Sequence, residues 1–254
     1  MTTIAAMYRD AAAYVRACTG LFLLVVAAEL AQHLIEYRAG FYDSLAAMKA
    51  AEGDVARMAM GHVKVLLLFA TNFFALRFYA FGRDPAAPLR RDPRAWALFV
   101  PVMLWGLFWL VLLQDGAWAA RAMGWSGRPF ALALVVVMLL STGFEIALSA
   151  WKTAAAAGNG AIGFVRSIRL TRGHVWWSLT VSAAAILPAM VLHYGFAFLS
   201  LGRGPLGTAA VLVADSLLVG IMGPLMAAAT YAIARRVTQG AEVPLVPVPL
   251  APAH

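Results

Sequence analysis

Six times along the chain an apolar stretch recurs that is about 20 residues long or longer, enough to cross a bilayer as an α-helix. Inside hydrocarbon every backbone N–H and C=O needs a partner within the protein, and a helix supplies one within a single segment. The alternative is a closed β-barrel, which needs strands of about ten residues that alternate apolar and polar side chains. No such alternation is present. The stretches lie at about Tyr14–Tyr37, Arg57–Phe81, Ala95–Gln114, Phe130–Trp151, Val175–Ser200 and Gly207–Ile233. The expected fold is therefore all-α: a polytopic integral membrane bundle of six transmembrane helices. Composition agrees, with 63% of residues hydrophobic and 13% charged, far from the balance of a water-soluble domain. Six spans use nearly all of the 254 residues. Residues 1–240 thus read as one membrane domain and 241–254 as a tail. The tail segment Val243–Ala253 carries four prolines and is expected to be extended and mobile.

The net charge of +8 reflects 20 Lys and Arg against 12 Asp and Glu, and the placement of most basic residues in short loops between spans does not point to nucleic acid. If the spans alternate, twelve Lys and Arg fall on one side, in the N-terminal flank, the segments Arg83–Arg94 and Lys152–Arg172, and the pair Arg235 and Arg236. Arg77 lies near the same side. Six fall on the other: Arg38, Lys49, Arg57, Arg121, Arg128 and Arg203. The positive-inside rule then places both termini in the cytoplasm, with a bacterial inner membrane as the expected location. Arg9 and Arg16 before an apolar run resemble a signal peptide, but the apolar character continues through Ala31, Leu34 and Ile35, which favours a retained helix. Between the first two spans, Tyr42–Ala51 reads as a short interfacial helix, with Phe41 and Tyr42 at headgroup level. Pro101, Pro188 and Pro224 fall inside spans, and Gly220 and Gly223 before Pro224 predict a bend and close helix packing there. The lone Cys18 permits neither an intrachain disulfide nor a cysteine metal cage.

Ionisable residues within spans are costly and are candidates for function. Glu29, His33 and Glu36 are spaced by four and three residues, so they share one face of the first helix. His62 and Lys64 on the second span, His193 on the fifth and Asp215 on the sixth are expected at similar depth, in the outer half. Structural pairing of Lys64 with Glu29 or Asp215, with the histidines bonded to carbonyls or water, is one reading. A path for an ion or small solute is another, and haem or metal ligation by two or three of His33, His62 and His193 a third. General-base catalysis by a Glu or His is the last. Glu145 stands by itself in the fourth span, flanked by Ser141, Thr142 and Ser149.

After the fourth span, Ile162, Phe164, Val165 and Ile168 can face the acyl boundary while Arg166, Arg169 and Arg172 form a charged strip. This is the pattern of an amphipathic helix in the cytoplasmic interface, with Gly173 ending it and Trp176 and Trp177 anchoring the next span. The run Ser167-x-x-Leu170-Thr171-Arg172-Gly173-x-x-Trp176 resembles the corresponding element of the YciC-type family, which includes the membrane domain attached to some glycerophosphodiester phosphodiesterases. Tyr231 with Arg235 and Arg236 extends the likeness, which covers about residues 130–240. The resemblance implies a membrane module and no reaction of its own, since no phosphodiesterase domain is present.

Absent motifs narrow the function further. The chain has no phosphate-binding G-x-x-x-x-G-K-[ST] loop, no H-E-x-x-H zinc pair, no G-x-S-x-G elbow and no C-x-x-C. No catalytic residue, resident cofactor or metal centre is expected from motifs. The expected function is a non-enzymatic inner-membrane module that supports an envelope or lipid-linked process. The alternative is a small-solute or ion transporter or channel built on the polar cluster, and the third reading a haem-bearing electron carrier. The bilayer is its surroundings, with a second copy or another membrane protein as the class of partner.

Overall fold

A computed structural model describes Thr3–Pro247. Among these residues all regular structure is helical, an all-α membrane bundle in which six helical stretches are long and apolar enough to span a bilayer. Helix α1 (Thr3–Ala17) precedes the first span, α2 (Thr19–Arg38). A short α3 (Leu45–Ala50) leads to the second span, α4 (Val55–Ala80). The third comprises α5 (Pro93–Leu110), one π turn at Val111–Asp115 and α6 (Gly116–Ala122). The fourth is α7 (Gly127–Ala147), followed by α8 (Ser149–Ala156). The fifth is α9 (Phe164–Thr171) with α10 (Val175–Leu199), and the sixth is α11 (Pro205–Gln239). Pro101, Pro188 and Pro224 lie within α5, α10 and α11, each of which continues as helix through its proline.

By their contacts the residues form two compact units. One comprises the chain up to Asn72 together with Ala183–Met226; the other comprises Phe73–Ser182 together with the residues from Ala227 on.

In the first unit the N-terminal segment corrects the sequence expectation. The first span does not begin at Tyr14: the chain breaks at Cys18, and α1 is a separate amphipathic helix. Met7, Ala11 and Tyr14 recur at helical spacing and are buried, while Tyr8 donates its hydroxyl to the Ala185 carbonyl of α10 at 2.7 Å. Helices α2 and α11 approach closely at Gly220, where a Cβ would stand 2.6 Å from Val26 Cγ2 and 2.7 Å from Phe22 Cε2. Only glycine fits that crossing, as small residues do where membrane helices pack without a hydrophobic drive. Val25, Ala189, Val219 and Met222 form the apolar core beside it. Phe41 and Tyr42 are both buried within the protein and pack with Leu212.

The second unit is held by polar ties to backbone. The fourth span ends earlier than its hydropathy suggests, at Ala147, and the cause lies on α9. Ser167 Oγ donates to the Ala147 carbonyl at 2.8 Å and accepts from the Trp151 amide at 3.1 Å. Its hydroxyl thus stands where the i→i+4 bond of a continuous helix would close, and the helix turns between α7 and α8. Thr171 Oγ reaches the same carbonyl at 3.2 Å. We predict that Ser167→Ala lowers stability by about 1–2 kcal/mol, because it strands the Trp151 amide. Thermal unfolding in detergent reads this; an unchanged melting temperature would show that the helix simply straightens.

Several residues here also depart from expectation. Gly173 does not end α9, which runs on through a single 3-10 turn at Arg172–His174 into α10. Ile162 is buried against Ala150, Ala154 and Ile233 and does not face lipid, while Phe164 is half-buried and packs on Trp105, Phe144 and Trp151. Arg166, Arg169, Arg172 and Trp176 are exposed, as a charged strip and its anchor require. Glu145 is not by itself: Lys152, a buried residue, binds its carboxylate. The beginning of the tail is held in place, because Asn159 Nδ2 donates to the carbonyls of Pro244 (2.8 Å) and Leu245 (3.3 Å), and Val243 and Leu245 pack on the Ile233 cluster. The expectation of an extended, mobile chain for 248–253 lies outside the described residues.

Candidate functional site

The first unit brings six of the seven sequence candidates into one buried network. Helix α2 provides Glu29, His33 and Glu36 on a shared face, as their spacing predicts. Lys64 comes from α4, His193 from α10 and Asp215 from α11. Four helices therefore aim ionisable side chains at one another, and Glu29, His33, Glu36 and Asp215 are each less than a tenth exposed. His62 behaves differently: its Nδ1 bonds the Met58 carbonyl of its own helix at 2.8 Å.

His33 is the centre. Its Nε2 lies 3.1 Å from Asp215 Oδ2 and 3.6 Å from Glu29 Oε1. Its Nδ1 lies 2.8 Å from the Tyr42 hydroxyl and 3.2 Å from Glu36 Oε2. Tyr42 in turn donates to Glu36 Oε2 at 2.5 Å. Burial, and next the charge of Glu36, push the Tyr42 phenol far above the ordinary phenol range, so it keeps the proton it donates. With that hydroxyl committed to Glu36, His33 Nδ1–H is shared between the Tyr42 oxygen at 2.8 Å and Glu36 Oε2 at 3.2 Å. The remaining nitrogen, Nε2, then faces oxygens of two carboxylates. A bare lone pair there would be repelled by both, so a proton or a metal cation has to lie between them.

Around this centre the carboxylates are anchored one by one. Arg57 Nε donates to Glu36 Oε1 at 2.8 Å and its guanidinium stacks 4.9 Å from the Phe41 ring centre. Gln32 Nε2 adds a bond to the same oxygen at 3.1 Å. Lys64 Nζ pairs with Glu29 Oε2 at 2.9 Å, leaving Oε1 turned to His33. His193 Nδ1 lies 2.7 Å from Asp215 Oδ1. The fixed charges do not balance: Glu29, Glu36 and Asp215 face only Lys64 and Arg57, so the site is one positive charge short before the histidines are counted. In a low-dielectric interior such a deficit is met either by a proton on one of the histidines or by a bound cation.

The arrangement also bears on haem. Asp215 stands between His33 and His193 and bonds both rings, so no porphyrin plane fits between that pair.

Tyr42, Arg57 and Gln32 belong to the site and were not singled out from sequence. Gln32 was legible in principle, one turn before Glu36 on the same helix. Tyr42 and Arg57 were not, since their contacts depend on how the connection Ala39–Asp54 folds back over α2. That fold-back is tied down where Gly202 N donates to the Tyr42 carbonyl at 2.9 Å, and where Ser44 caps α3 by accepting from Ala47 N at 3.2 Å. No family model, curated protein or solved structure matches this chain.

Proposed function

We propose that the protein is a small membrane transport module that takes a cation into the carboxylate–histidine site of its first unit. One observation carries this reading: three buried carboxylates from α2 and α11 converge on His33 with fewer fixed positive charges than negative ones. Ionisable groups held within membrane helices are costly, and ion pathways are among the functions that retain them. The excess of Lys and Arg in alternate loops supports an inner-membrane location with both termini in the cytoplasm, which puts the site in the outer half of the bilayer.

Reconstituted into proteoliposomes, the wild type is expected to pass a cation down an imposed gradient, surveyed across monovalent and divalent ions. Asp215→Asn and Glu29→Gln, which keep side-chain shape but remove charge, are expected to fall to the rate of empty vesicles. Flux retained in both variants, or absent for every cation in the wild type, would sink the proposal.

A second reading is a non-enzymatic module that supports an envelope or lipid-linked process. It is favoured by the Lys64–Glu29 and Arg57–Glu36 pairs, which tie helices together without any ligand, and by the likeness of the Ser167–Trp176 run to the YciC-type family. On that reading the same variants lower thermal stability and change no flux.

A further inference from the structure

The geometry points to a divalent transition-metal site formed by Glu29 Oε1, His33 Nε2, His193 Nδ1 and Asp215. This rests on the cation reading above and names the class of ion. Bond lengths near 2.0–2.1 Å in a tetrahedral zinc centre put neighbouring donor atoms about 3.3 Å apart. His33 Nε2 lies 3.1 Å from Asp215 Oδ2 and 3.6 Å from Glu29 Oε1, on either side of that value. Donor atoms of Glu29, His193 and Asp215 all lie within 4.8 Å of one another. Glu29, His193 and Asp215 thus form a three-donor set, and His33 Nε2, within reach of two of them, is placed to join it as a fourth on side-chain adjustment.

A second observation is independent of those distances. A metal-bound histidine characteristically gives its other ring N–H to a carboxylate, which fixes the tautomer and aims the free nitrogen at the metal. His33 does this. Its Nδ1 faces Glu36 Oε2 and the Tyr42 hydroxyl, and Glu36 is itself immobilised by Arg57, Gln32 and Tyr42. The support behind His33 is thus complete, and its Nε2 points into the space bounded by Glu29 and Asp215.

The donor set selects the ion class. Two imidazoles and two carboxylates suit zinc, cobalt, manganese or iron in the divalent state. Magnesium and calcium prefer oxygen alone, and copper(I) prefers sulfur, which the set lacks. Glu29 and Asp215 supply two negative charges, matching a divalent ion. Lys64, 2.9 Å from Glu29 Oε2, stands as a built-in competitor for that carboxylate.

The test is equilibrium binding to the purified full chain in detergent, with Co²⁺ and Zn²⁺ as the probes. The wild type is expected to bind one Co²⁺ per chain with a change in the visible cobalt spectrum, and Zn²⁺ is expected to displace it. His193→Ala and Asp215→Asn should each weaken binding by about tenfold to a hundredfold or more, the range that even supporting residues command. Lys64→Met should tighten it. A wild type that binds neither ion stoichiometrically overturns the site, as do folded His193→Ala and Asp215→Asn proteins with unchanged affinity. The result also separates the two proposals. Metal bound at equilibrium with no cation flux upholds this site and defeats transport. Monovalent flux without metal binding defeats this site and leaves transport standing.

Discussion

Replacing Arg77 by methionine is expected to cost about 3–5 kcal/mol, the range for removing one partner from a buried charge network. Arg77 is 1% exposed, and its guanidinium serves several backbone and side-chain oxygens at once. Nε donates to the Ala87 carbonyl at 3.1 Å, and Nη1 to the Ala156 carbonyl at 2.9 Å and Asp92 Oδ2 at 3.3 Å. Nη2 reaches the Arg90 carbonyl at 3.4 Å. These groups belong to the end of α4, the connection to α5, the N-cap of α5 and the last turn of α8. Ala156 is among the carbonyls that a helix C-terminus leaves without an internal partner, so Arg77 satisfies an obligatory acceptor. Asp92, held on one side by Arg77, caps α5 on the other by accepting from Ala95 N at 3.0 Å. The fit is tight: a Cβ at Gly158, whose φ is +79°, would stand 3.0 Å from Asp92 Oδ2. Methionine fills the volume but serves none of the oxygens. Arg77→Lys should recover less than half of the loss, because one ammonium cannot span carbonyls that a planar fork reaches together. Thermal unfolding in detergent measures both. An Arg77→Met protein that melts with the wild type would show that water enters and takes over those oxygens.

Glu36→Leu is expected to cost about 3 kcal/mol, near the lower end of that range because Arg57 is partly exposed and can turn to water. The carboxylate takes bonds from Gln32, His33, Tyr42 and Arg57, and their loss strands a phenol and an imidazole in the interior. A double-mutant cycle tests the assignment. Glu36→Leu combined with Arg57→Leu should destabilise by clearly less than the sum of the single changes, because the second substitution removes a group the first has already orphaned. Strict additivity of the two melting-temperature losses would mean that the pair does not interact.

Much of the candidate site could be read from spacing alone. Glu29, His33 and Glu36 share a face because helical geometry puts residues three and four apart on one side, whatever surrounds them. The sequence allows Lys64 to pair with Glu29 or with Asp215, and in the structure it pairs with Glu29. Position along the spans groups His62 with the others, but position along a helix does not fix direction, and its Nδ1 bonds the Met58 carbonyl of its own helix. Glu145 illustrates the opposite error. Lys152 lies seven residues on, on the same face of a regular helix but about 10 Å further along its axis, and the turn at Leu148 brings the two side chains together. That turn arises from Ser167 and Thr171, which sit on another helix and appear in sequence as ordinary polar residues of an amphipathic pattern.

The six spans follow from the chain itself, because the free energy of placing a segment in hydrocarbon is a sum over its own residues and the helix satisfies its own backbone. What those spans do with their few polar groups is different. Whether Tyr42 lies at a headgroup or buried against Glu36, whether Arg77 marks a membrane edge or knits four elements together, and whether Asp215 faces lipid or His33 and His193 depend on neighbours far along the chain. Hydrogen bonds and ion pairs act over a few ångströms between particular atoms, so only packing in three dimensions settles which atoms meet.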